Sequence, residues 1–554
     1  MPKILINEKD RTSPGTPAGY SNYAVLITGF AAKDPVGADS NGVFEFSAAD
    51  AFKDAIGLVP PKRTKETSAG SIDFYHYGNQ MAYELLNMGY SVIYKVINDV
   101  DEMTDAKFWE IFKDKASYDF RFVTHGLLES SAITEEAEYA EASTTLAAVE
   151  AAIEALEEIS ETVTIESLGE LAEGADPEVE LANARTTAYL AIKDNYTGFI
   201  KSGSTTARYT SYSQAVDGTA ARKVELEALM TTLANGALTK ETINQINGHI
   251  ANLAKYTATG ALDTNGDATN DMYMKAIPGR GDCIALIEID ENLYTGVSAG
   301  ETVEERIINA INGMSMIDAA NGKYCALTVP SVTYNMTVDS AFEGNKKFPG
   351  AFHYLACFMN SLKLGFAEWY AAAGYTRGVS SYAVDHATVK LGEIAINALE
   401  PRNYDDPQSD YPKFACNVIA NFRGSYYLWG NRTAHPLGKK GNVETGDLVA
   451  SSFLNIRQLC TTIKKQLYVA CRSFTFDPNS DTLWINFKNA ILPTLEAMKA
   501  DQGIRDYKIV KVYTDKKATL KAKIRIVPIE AVEDFDLEVS LEDSFGETAA
   551  VVTE

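Results

Sequence analysis

Residues 453–484 read FLNIRQLCTTIKKQLYVACRSFTFDPNSDTLW, and the patterns in this stretch decide the fold class of the last third of the chain. Apolar side chains recur in it at steps of three and four residues, namely Phe453, Ile456, Cys460, Ile463 and Leu467. This spacing predicts an amphipathic helix that packs through one face. The same helix is expected to keep Arg457, Lys464 and Lys465 away from that face.

A turn and a second helix are predicted next. The alternation of Phe474 and Phe476 predicts a short strand, and Asp477-Pro-Asn-Ser is typical of a turn. Ser480 or Asp481 can cap the helix that follows. Its apolar face consists of Leu483, Phe487, Ile491, Leu495 and Met498. The unit is therefore expected to be an α+β domain built around two helices.

Two further strands are predicted at residues 507–513 and 521–527, and this part of the chain is basic. Residues 430–530, which we call the basic body, hold seventeen Lys or Arg against nine Asp or Glu. The cations that we expect on its surface are Arg457, Lys464, Lys465, Lys521, Lys523 and Arg525. Such a surface favours an acidic partner.

The composition limits the class of protein. A chain of 554 residues exceeds the size of one hydrophobic core, so several domains are expected. Hydrophobic residues make up 46% and charged residues 23%, which is typical of a globular protein. The N-terminus lacks a basic segment followed by an apolar one, and no run of about 18 apolar residues occurs. We therefore expect neither a signal peptide nor direct insertion into a membrane.

The acidic residues are concentrated in one segment. The formal net charge is −25, and residues 129–184 hold sixteen Asp or Glu and no Lys or Arg. Such a charge argues against nucleic acid as a partner. A solvated helical surface is the expected role of this segment.

Patterns of common catalytic sites are missing. His-Glu-x-x-His, Gly-x-Ser-x-Gly and phosphate-loop patterns do not occur, so we expect a protein that is not an enzyme and that holds no cofactor or metal. The six cysteines lack Cys-x-x-Cys spacing and are expected to be buried free thiols. Residues 263–271 place oxygen ligands at alternate positions, as calcium loops do, but Ala268 and Met274 stand where an EF-hand has Gly and Glu. A solvated turn is preferred there, and calcium binding by Asp263 to Asp271 stays open.

An α/β domain precedes the basic body. A buried-strand pattern at residues 23–30 starts an alternation of strands and helices. An Ala- and Glu-rich segment interrupts this alternation and predicts an acidic, mainly helical, surface-exposed insertion. The alternation then resumes with a helix opened by the capping box Thr302-Val-Glu-Glu305. The expected domains are 23–129 together with 271–365 for the α/β domain, 130–270 for the insertion and 366–530 for the C-terminal α+β domain.

Both ends of the chain predict single strands. Residues 1–22, the N-terminal arm, begin with the β-prone Ile4, Leu5 and Ile6 and continue into a Pro- and Gly-rich segment. Residues 531–554, the C-terminal arm, alternate acidic residues with the apolar Phe535, Leu537, Val539 and Leu541. Because a single strand is not stable alone, each arm is expected to pair with a sheet, and the sequence leaves open whether that sheet belongs to the same chain or to another copy.

Several of these segments resemble motifs of the contractile phage tail sheath protein family. They are the helix and Phe-Asp-Pro-Asn turn within 453–484, the segment from Phe366-Ala-Glu-Trp369 to Arg377-Gly-Val379, and Trp429-Gly-Asn-Arg-Thr433. The resemblance covers most of the last third of the chain and, more loosely, residues 20–100. The helical insertion has no counterpart in it.

The resemblance implies a structural sheath subunit whose C-terminal sheath core domain receives strand-donating arms from neighbouring subunits. Copies would form a helical assembly of stacked rings, hexameric by family resemblance, around an inner tube, and contraction would drive the tube through the host envelope for genome ejection. The implied partners are further copies of the chain, the tail tube protein, the baseplate and the tail terminator. The basic body would face an arm or the tube. The implied location is the tail of a bacteriophage virion, after assembly in the host cytoplasm.

Two alternatives stay open. The sheath of a bacterial secretion or extracellular contractile injection system shares the same C-terminal core, although a single chain with both the α/β domain and the core favours a phage tail. A surface-binding adhesin that uses the helical insertion is the alternative of a different class. A monodisperse monomer would favour the adhesin.

Overall fold

The computed structural model describes residues 23–67, 70–130, 133–199, 208–236, 240–255, 279–289, 294, 302–314, 316–317, 321–333, 347–380, 383, 389–399, 412–435, 449–513, 518–529 and 531. Within these ranges the chain forms a mixed α/β structure. A central sheet of eight strands is accompanied by smaller sheets of two or three strands.

Strands and helices are interspersed along the chain, but between residues 130 and 284 all the described elements are helices. The strands are β1 (Ala24–Gly29), β2 (Val43–Phe46), β3 (Lys62–Thr67), β4 (Gly70–His76), β5 (Ser91–Val96), β6 (Phe122–Thr124), β7 (Leu127–Ser130), β8 (Ile284–Glu288), β9 (Cys325–Val329), β10 (Val332–Thr333), β11 (Lys347–Phe348), β12 (Cys416–Phe422), β13 (Ser425–Trp429), β14 (Ile504–Val512) and β15 (Lys521–Pro528). The helices are α1 (Ala49–Ala55), α2 (Gly78–Met88), α3 (Ala106–Glu110), α4 (Ile133–Thr162), α5 (Pro177–Ile192), α6 (Tyr212–Gly236), α7 (Lys240–Ala254), α8 (Val303–Asn312), α9 (Gly350–Lys363), α10 (Gly374–Arg377), α11 (Glu393–Ala398), α12 (Leu454–Ser473) and α13 (Asp481–Ala500).

The central sheet follows the order β13-β12-β9-β8-β6-β1-β5-β2. Six strands from β12 to β5 run parallel, and the antiparallel strands β13 and β2 close the two edges. The strand order changes direction at β1, because the chain adds β5 on one side of it and β6 on the other. This arrangement is a doubly wound sheet.

Helices cover both faces of this sheet, so strands β1, β8 and β9 are buried along their whole length. On one face, Val25 and Ile27 of β1 pack with apolar residues of α2 and α9. On the other face, Leu26 packs with residues of α7 and α8. The buried strand predicted at residues 23–30 is therefore present as β1. The predicted capping box is also present, because the Thr302 Oγ1 atom accepts a hydrogen bond from the Glu305 amide at 3.2 Å.

Helices α4, α5 and α6 form a separate helical unit with small cores of its own. One core contains Leu156, Tyr189 and Phe199, and another contains Val149 and Leu226. Helix α7, which the sequence placed in the same insertion, belongs instead to the α/β domain. Its residues Ile243, Ile246 and Ile250 are part of the large core.

The C-terminal unit consists of α12, α13 and the antiparallel pair β14–β15. The Ser480 hydroxyl accepts a hydrogen bond from the Leu483 amide and caps α13, as predicted. The five predicted apolar positions of α13 are all buried, and the helix continues through Pro493. The two predicted C-terminal strands are confirmed as β14 and β15.

Two expectations for the C-terminal region are wrong. Strands β12 and β13 lie within 366–530, yet they are part of the central sheet, because β12 pairs in parallel with β9. The strand expected at Phe474 and Phe476 is a turn, since α12 continues to Ser473. Phe474 packs against Phe487, whereas Phe476 has a φ of 78° and is 87% exposed. Two alternating residues are too short a pattern to distinguish a strand from a turn.

Candidate functional site

Helix α12 crosses the end of the central sheet at which the parallel strands begin. Arg121, which precedes β6, donates from Nη1 to the Gln458 Oε1 atom at 3.0 Å and from Nη2 to the Thr462 Oγ1 atom at 2.6 Å. Lys464 donates from Nζ to the carbonyl oxygen of Gly281, just before β8, at 2.6 Å. Helix α12 therefore ties the C-terminal unit to the amino edge of the sheet.

The first three cations of the predicted basic surface are buried in this contact. Arg457, Lys464 and Lys465 are 1%, 6% and 3% exposed. The Arg457 guanidinium lies 4.7 Å from the ring centroid of Tyr324, and Lys465 forms ion pairs with Asp119 and Asp282. The prediction that these three face an arm or a tube is therefore wrong. They are paired within the chain, because the helix is covered on more sides than its apolar stripe indicates.

Asp282 is a buried carboxylate that pairs with Lys465 and with two further cations. Its Oδ1 atom lies 3.0 Å from Arg280 Nε and 3.8 Å from Lys115 Nζ, and its Oδ2 atom lies 3.8 Å from Lys465 Nζ. Burial alone would raise the pKa of Asp282, but attraction to these three cations holds it well below its usual range. Burial lowers the pKa of Lys115 to about 8. The cluster is a buried structural network rather than an accessible ligand site.

A second polar network joins the first described residue to α12. The Tyr23 hydroxyl donates to the Glu368 Oε1 atom at 3.2 Å, and the same oxygen lies 3.6 Å from Arg121 Nη2. Burial and the neighbouring Glu368 carboxylate raise the pKa of Tyr23. Sequence reasoning missed this network. The only signal for it was that Glu368 lies in the Phe-Ala-Glu-Trp segment that carries the family resemblance.

The other three predicted cations lie on β15. Tyr507, Ile509 and Ile524 of the β14–β15 sheet pack against α13. Because side chains alternate along a strand, Lys521, Lys523 and Arg525 lie on the opposite face. Lys521 and Arg525 are exposed, and Lys523 is half-buried. This face, which we call the open face, also carries Lys508 opposite Arg525.

The β14–β15 sheet pairs with no other strand in the described part of the chain. Strands β14 and β15 have nine and eight residues and form one antiparallel ladder, so each has one long outer edge. The predicted arm residues Ile4, Leu5, Ile6, Phe535, Leu537, Val539 and Leu541 lie outside the described residues. The loop from Asp263 to Asp271 also lies outside them.

At the carboxyl edge of the central sheet, side chains fill the place where doubly wound folds commonly bind ligands. His76 and His125 are both 2% exposed at the ends of β4 and β6, beside the start of α2. The His125 Nε2 atom lies 2.8 Å from Asn247 Oδ1, and a Cβ atom on Gly78 would lie 1.8 Å from the carbonyl oxygen of Thr28. The start of α2 is therefore packed directly against β1.

Two further polar groups at this edge are also buried. Glu288 accepts hydrogen bonds from the Thr328 hydroxyl at 2.8 Å and from the Ala351 amide at the start of α9 at 3.2 Å. The Ser380 hydroxyl lies 3.0 Å from His353 Nδ1, a distance at which a histidine can act as base toward a serine nucleophile. However, Ser380 is 4% exposed and His353 is 0% exposed, so neither side chain is accessible to a substrate. The geometry gives both groups structural roles.

Three further expectations concern cysteines, metals and membranes. The six cysteines are free thiols, of which four are buried, and burial raises the pKa of Cys283 and of Cys357 to about 12. Among the described residues, no cluster of His, Cys, Asp or Glu could hold a metal ion. In the same ranges, no helix is long and apolar enough to cross a membrane.

Comparison with known proteins gives structural neighbours but no family model. No protein-family model and no curated protein matches the chain. A chain of the anti-feeding prophage baseplate is similar to it, with a TM-score of 0.48, 10% identity and coverage of 98% of this chain and 99% of that one. A chain of the PVC sheath complex, an extracellular contractile injection system in its contracted state, has a TM-score of 0.45, 10% identity and 98% coverage of both chains. At these scores the likeness does not assign a function.

Proposed function

We propose that this chain is a structural sheath subunit of a contractile tail, and that its copies are joined by strands exchanged between C-terminal units. The observation that carries the proposal is the β14–β15 sheet, which has two long outer edges and no other strand partner in the described ranges. A two-stranded sheet is marginally stable alone, and a long exposed edge is a template for another strand. Strand addition by another copy uses such edges.

Charge supports the choice of partner. The C-terminal arm holds eight Asp or Glu and no Lys or Arg. The open face carries Lys508, Lys521, Lys523 and Arg525. An acidic strand added beside these cations has complementary charge, which favours the correct register and faster association.

The mechanism needs no bound nucleotide. Subunits stacked as rings around an inner tube would store energy in an extended packing and release it on moving to a second, more stable packing. The exchanged strands would keep neighbouring subunits connected during this movement. The tail tube protein, the baseplate and the tail terminator are the proposed partners, and hexameric rings are the proposed symmetry.

A phage tail is the preferred setting. One chain carries both the doubly wound domain and the C-terminal unit, and the sequence resemblance is to phage tail sheaths. The sheath of a secretion or extracellular injection system is the alternative, since such systems share the proposed contraction mechanism. The genes that accompany this one, with or without capsid genes, distinguish the two settings.

Truncation of the arms tests the proposal. Purified full-length protein is expected to form tubes or stacked rings in negative-stain electron micrographs. Deletion of residues 1–12 or of 533–554 is expected to leave a folded monomer, with an unchanged circular dichroism spectrum, that does not polymerise. Deletion of residues 549–554 alone is the matched control, because it keeps the predicted alternating strand. Tubes of normal length from either long truncation would contradict strand exchange.

A further inference from the structure

The roots of both arms lie beside one dipeptide, Glu368-Trp369. The N-terminal arm leads into Tyr23, which we call its root and whose hydroxyl donates to Glu368 at 3.2 Å. The root of the C-terminal arm is Ile529, just before residue 531, and its amide donates to the carbonyl oxygen of Gly503 at 3.3 Å. Gly503 is the residue on which the Trp369 indole packs. Two segments more than 500 residues apart in sequence are thus connected through adjacent side chains.

Trp369 makes the contact with the C-terminal unit. Its Nε1 atom donates to the carbonyl oxygen of Asp501 at 3.1 Å. A Cβ atom added to Gly503 would lie 2.8 Å from that nitrogen, so the indole lies directly on the glycine backbone. Gly503 precedes β14, whose first residue, Ile504, pairs with Pro528 at the end of β15. Trp369 therefore packs against the place where β14 starts and β15 ends.

Glu368 makes the contact with the α/β domain. Its carboxylate lies 3.6 Å from Arg121, which in turn holds α12. The Tyr23 ring is edge-to-face with Phe358 at 6.2 Å, so both the ring and the hydroxyl of this residue are held. The main chain of this dipeptide is also fixed, since Asn455 of α12 donates from Nδ2 to the carbonyl oxygen of Trp369 at 3.2 Å.

We propose that Glu368 and Trp369 form a common anchor that positions the roots of both arms. This inference rests on the proposed exchange of arm strands. Tension that enters a subunit where a neighbour's strand joins the β14–β15 sheet would pass through Trp369 and Glu368 to Tyr23, and from there to the next subunit. An anchored root also reduces the ordering cost of each arm when it binds, because part of its chain is already fixed.

The test uses three variants of the full-length chain, Tyr23→Phe, Glu368→Gln and Trp369→Phe. Tyr83→Phe on α2 and Trp484→Phe on α13 are matched controls outside the anchor. The first measurement is hydrogen exchange of the monomer at the Ile529 amide and at residues 24–26. Trp369→Phe is expected to raise exchange at Ile529 about tenfold, the effect of losing one hydrogen bond of ordinary strength. Glu368→Gln is expected to raise exchange at both places, because the two contacts share one segment.

The second measurement is the critical concentration for tube assembly. It is expected to rise about tenfold in the anchor variants and to stay unchanged in the controls. Unchanged exchange in Glu368→Gln and Trp369→Phe would overturn the anchor, whether or not tubes form. Faster exchange in both, with no tubes from the unmodified chain, would retain the anchor and reject the proposed function. Monomer unfolding in urea identifies any variant that merely misfolds.

Discussion

The central sheet and the β14–β15 sheet differ at their edges. In the central sheet, short antiparallel strands close both edges, and a bridge between Val379 and Tyr427 covers part of the outer side of β13. In the β14–β15 sheet, two strands of nine and eight residues keep long outer edges among the described residues. Natural proteins usually shorten, cover or charge such edges. Within the described residues, the central sheet is closed at both edges and the β14–β15 sheet is open at both, so a further strand can pair with the β14–β15 sheet.

The two sheets also differ in what stabilises them. Strands β1, β8 and β9 are buried on both faces and lie within the two large cores. Strands β14 and β15 are covered by α13 on one face only, and most of their residues are half-buried or exposed. Burial of apolar area is the main stabilising term in folding. The central sheet should therefore hold most of the unfolding free energy.

Hydrogen exchange gives the largest expected contrast between the sheets. Amides of β8 and β9 should exchange only through global unfolding, while alternate outward-facing amides of β14 and β15 should exchange near the rate of an unstructured chain. The difference should correspond to about 5 kcal/mol or more. On assembly into tubes, the outward amides of β14 and β15 should become protected. Equal protection of both sheets in the monomer would contradict the comparison.

Removal of the Asp282 charge should weaken the contact between the central sheet and α12. In Asp282→Asn, the buried Arg280, Lys115 and Lys465 lose their shared carboxylate partner. Unfolding free energy should fall by about 3–5 kcal/mol, the cost of breaking a buried charge pair. Urea denaturation followed by circular dichroism measures this loss. The matched control is Asp506→Asn in β14. Loss of the exposed ion pair between Asp506 and Lys499 should leave the urea midpoint unchanged.

Acidification should also act through the central sheet. Burial lowers the pKa of His76 to about 3 and that of His125 to about 4. Between pH 6.5 and these values the unfolded chain binds more protons, so the unfolding free energy falls as the pH falls. Each histidine contributes about 1.4 kcal/mol per pH unit in this window.

The pH prediction is checked by urea denaturation at several pH values from 6.5 to 5. In a His125→Asn variant, the slope of the unfolding free energy against pH should correspond to the uptake of one proton fewer on unfolding. In that variant the Arg63 charge still acts on His76. The introduced asparagine side chain provides an amide that can hydrogen-bond to Asn247 in place of the imidazole. The same slope in both proteins would show that His125 does not titrate as its burial requires.

Much of the fold was predictable from periodicity and local signals. The buried strands, the amphipathic helices, the Ser480 cap and the Thr302 capping box each depend on residues close together in sequence. The burial of Lys464 and Lys465 was not predictable, because their partners, Gly281, Asp119 and Asp282, are 183 or more residues away. A helical pattern shows which side chains share a face, but not what covers each face. The pairing of the arms stays a prediction.

Charge reversal on the open face gives the smallest expected effect on folding and the sharpest test of its partner. Reversal of Lys521, Lys523 and Arg525 to Glu should lower the urea midpoint of the monomer only slightly, because Lys521 and Arg525 are exposed and only Lys523 is half-buried. Tube assembly should be lost, since the acidic arm would then meet a face of like charge. Lys488→Glu on the exposed side of α13 is the control and should assemble normally.

A compensating change identifies what the open face binds. Replacement of the arm residues Asp534, Asp536 and Glu538 by Lys in the reversed variant should restore assembly, because both charges of the pair are then exchanged. Added salt should weaken assembly of the unmodified protein, since the pairing is partly electrostatic. Restored tubes would assign the face to the arm. Loss of assembly without restoration would instead place another acidic surface, such as that of the inner tube, against these three cations.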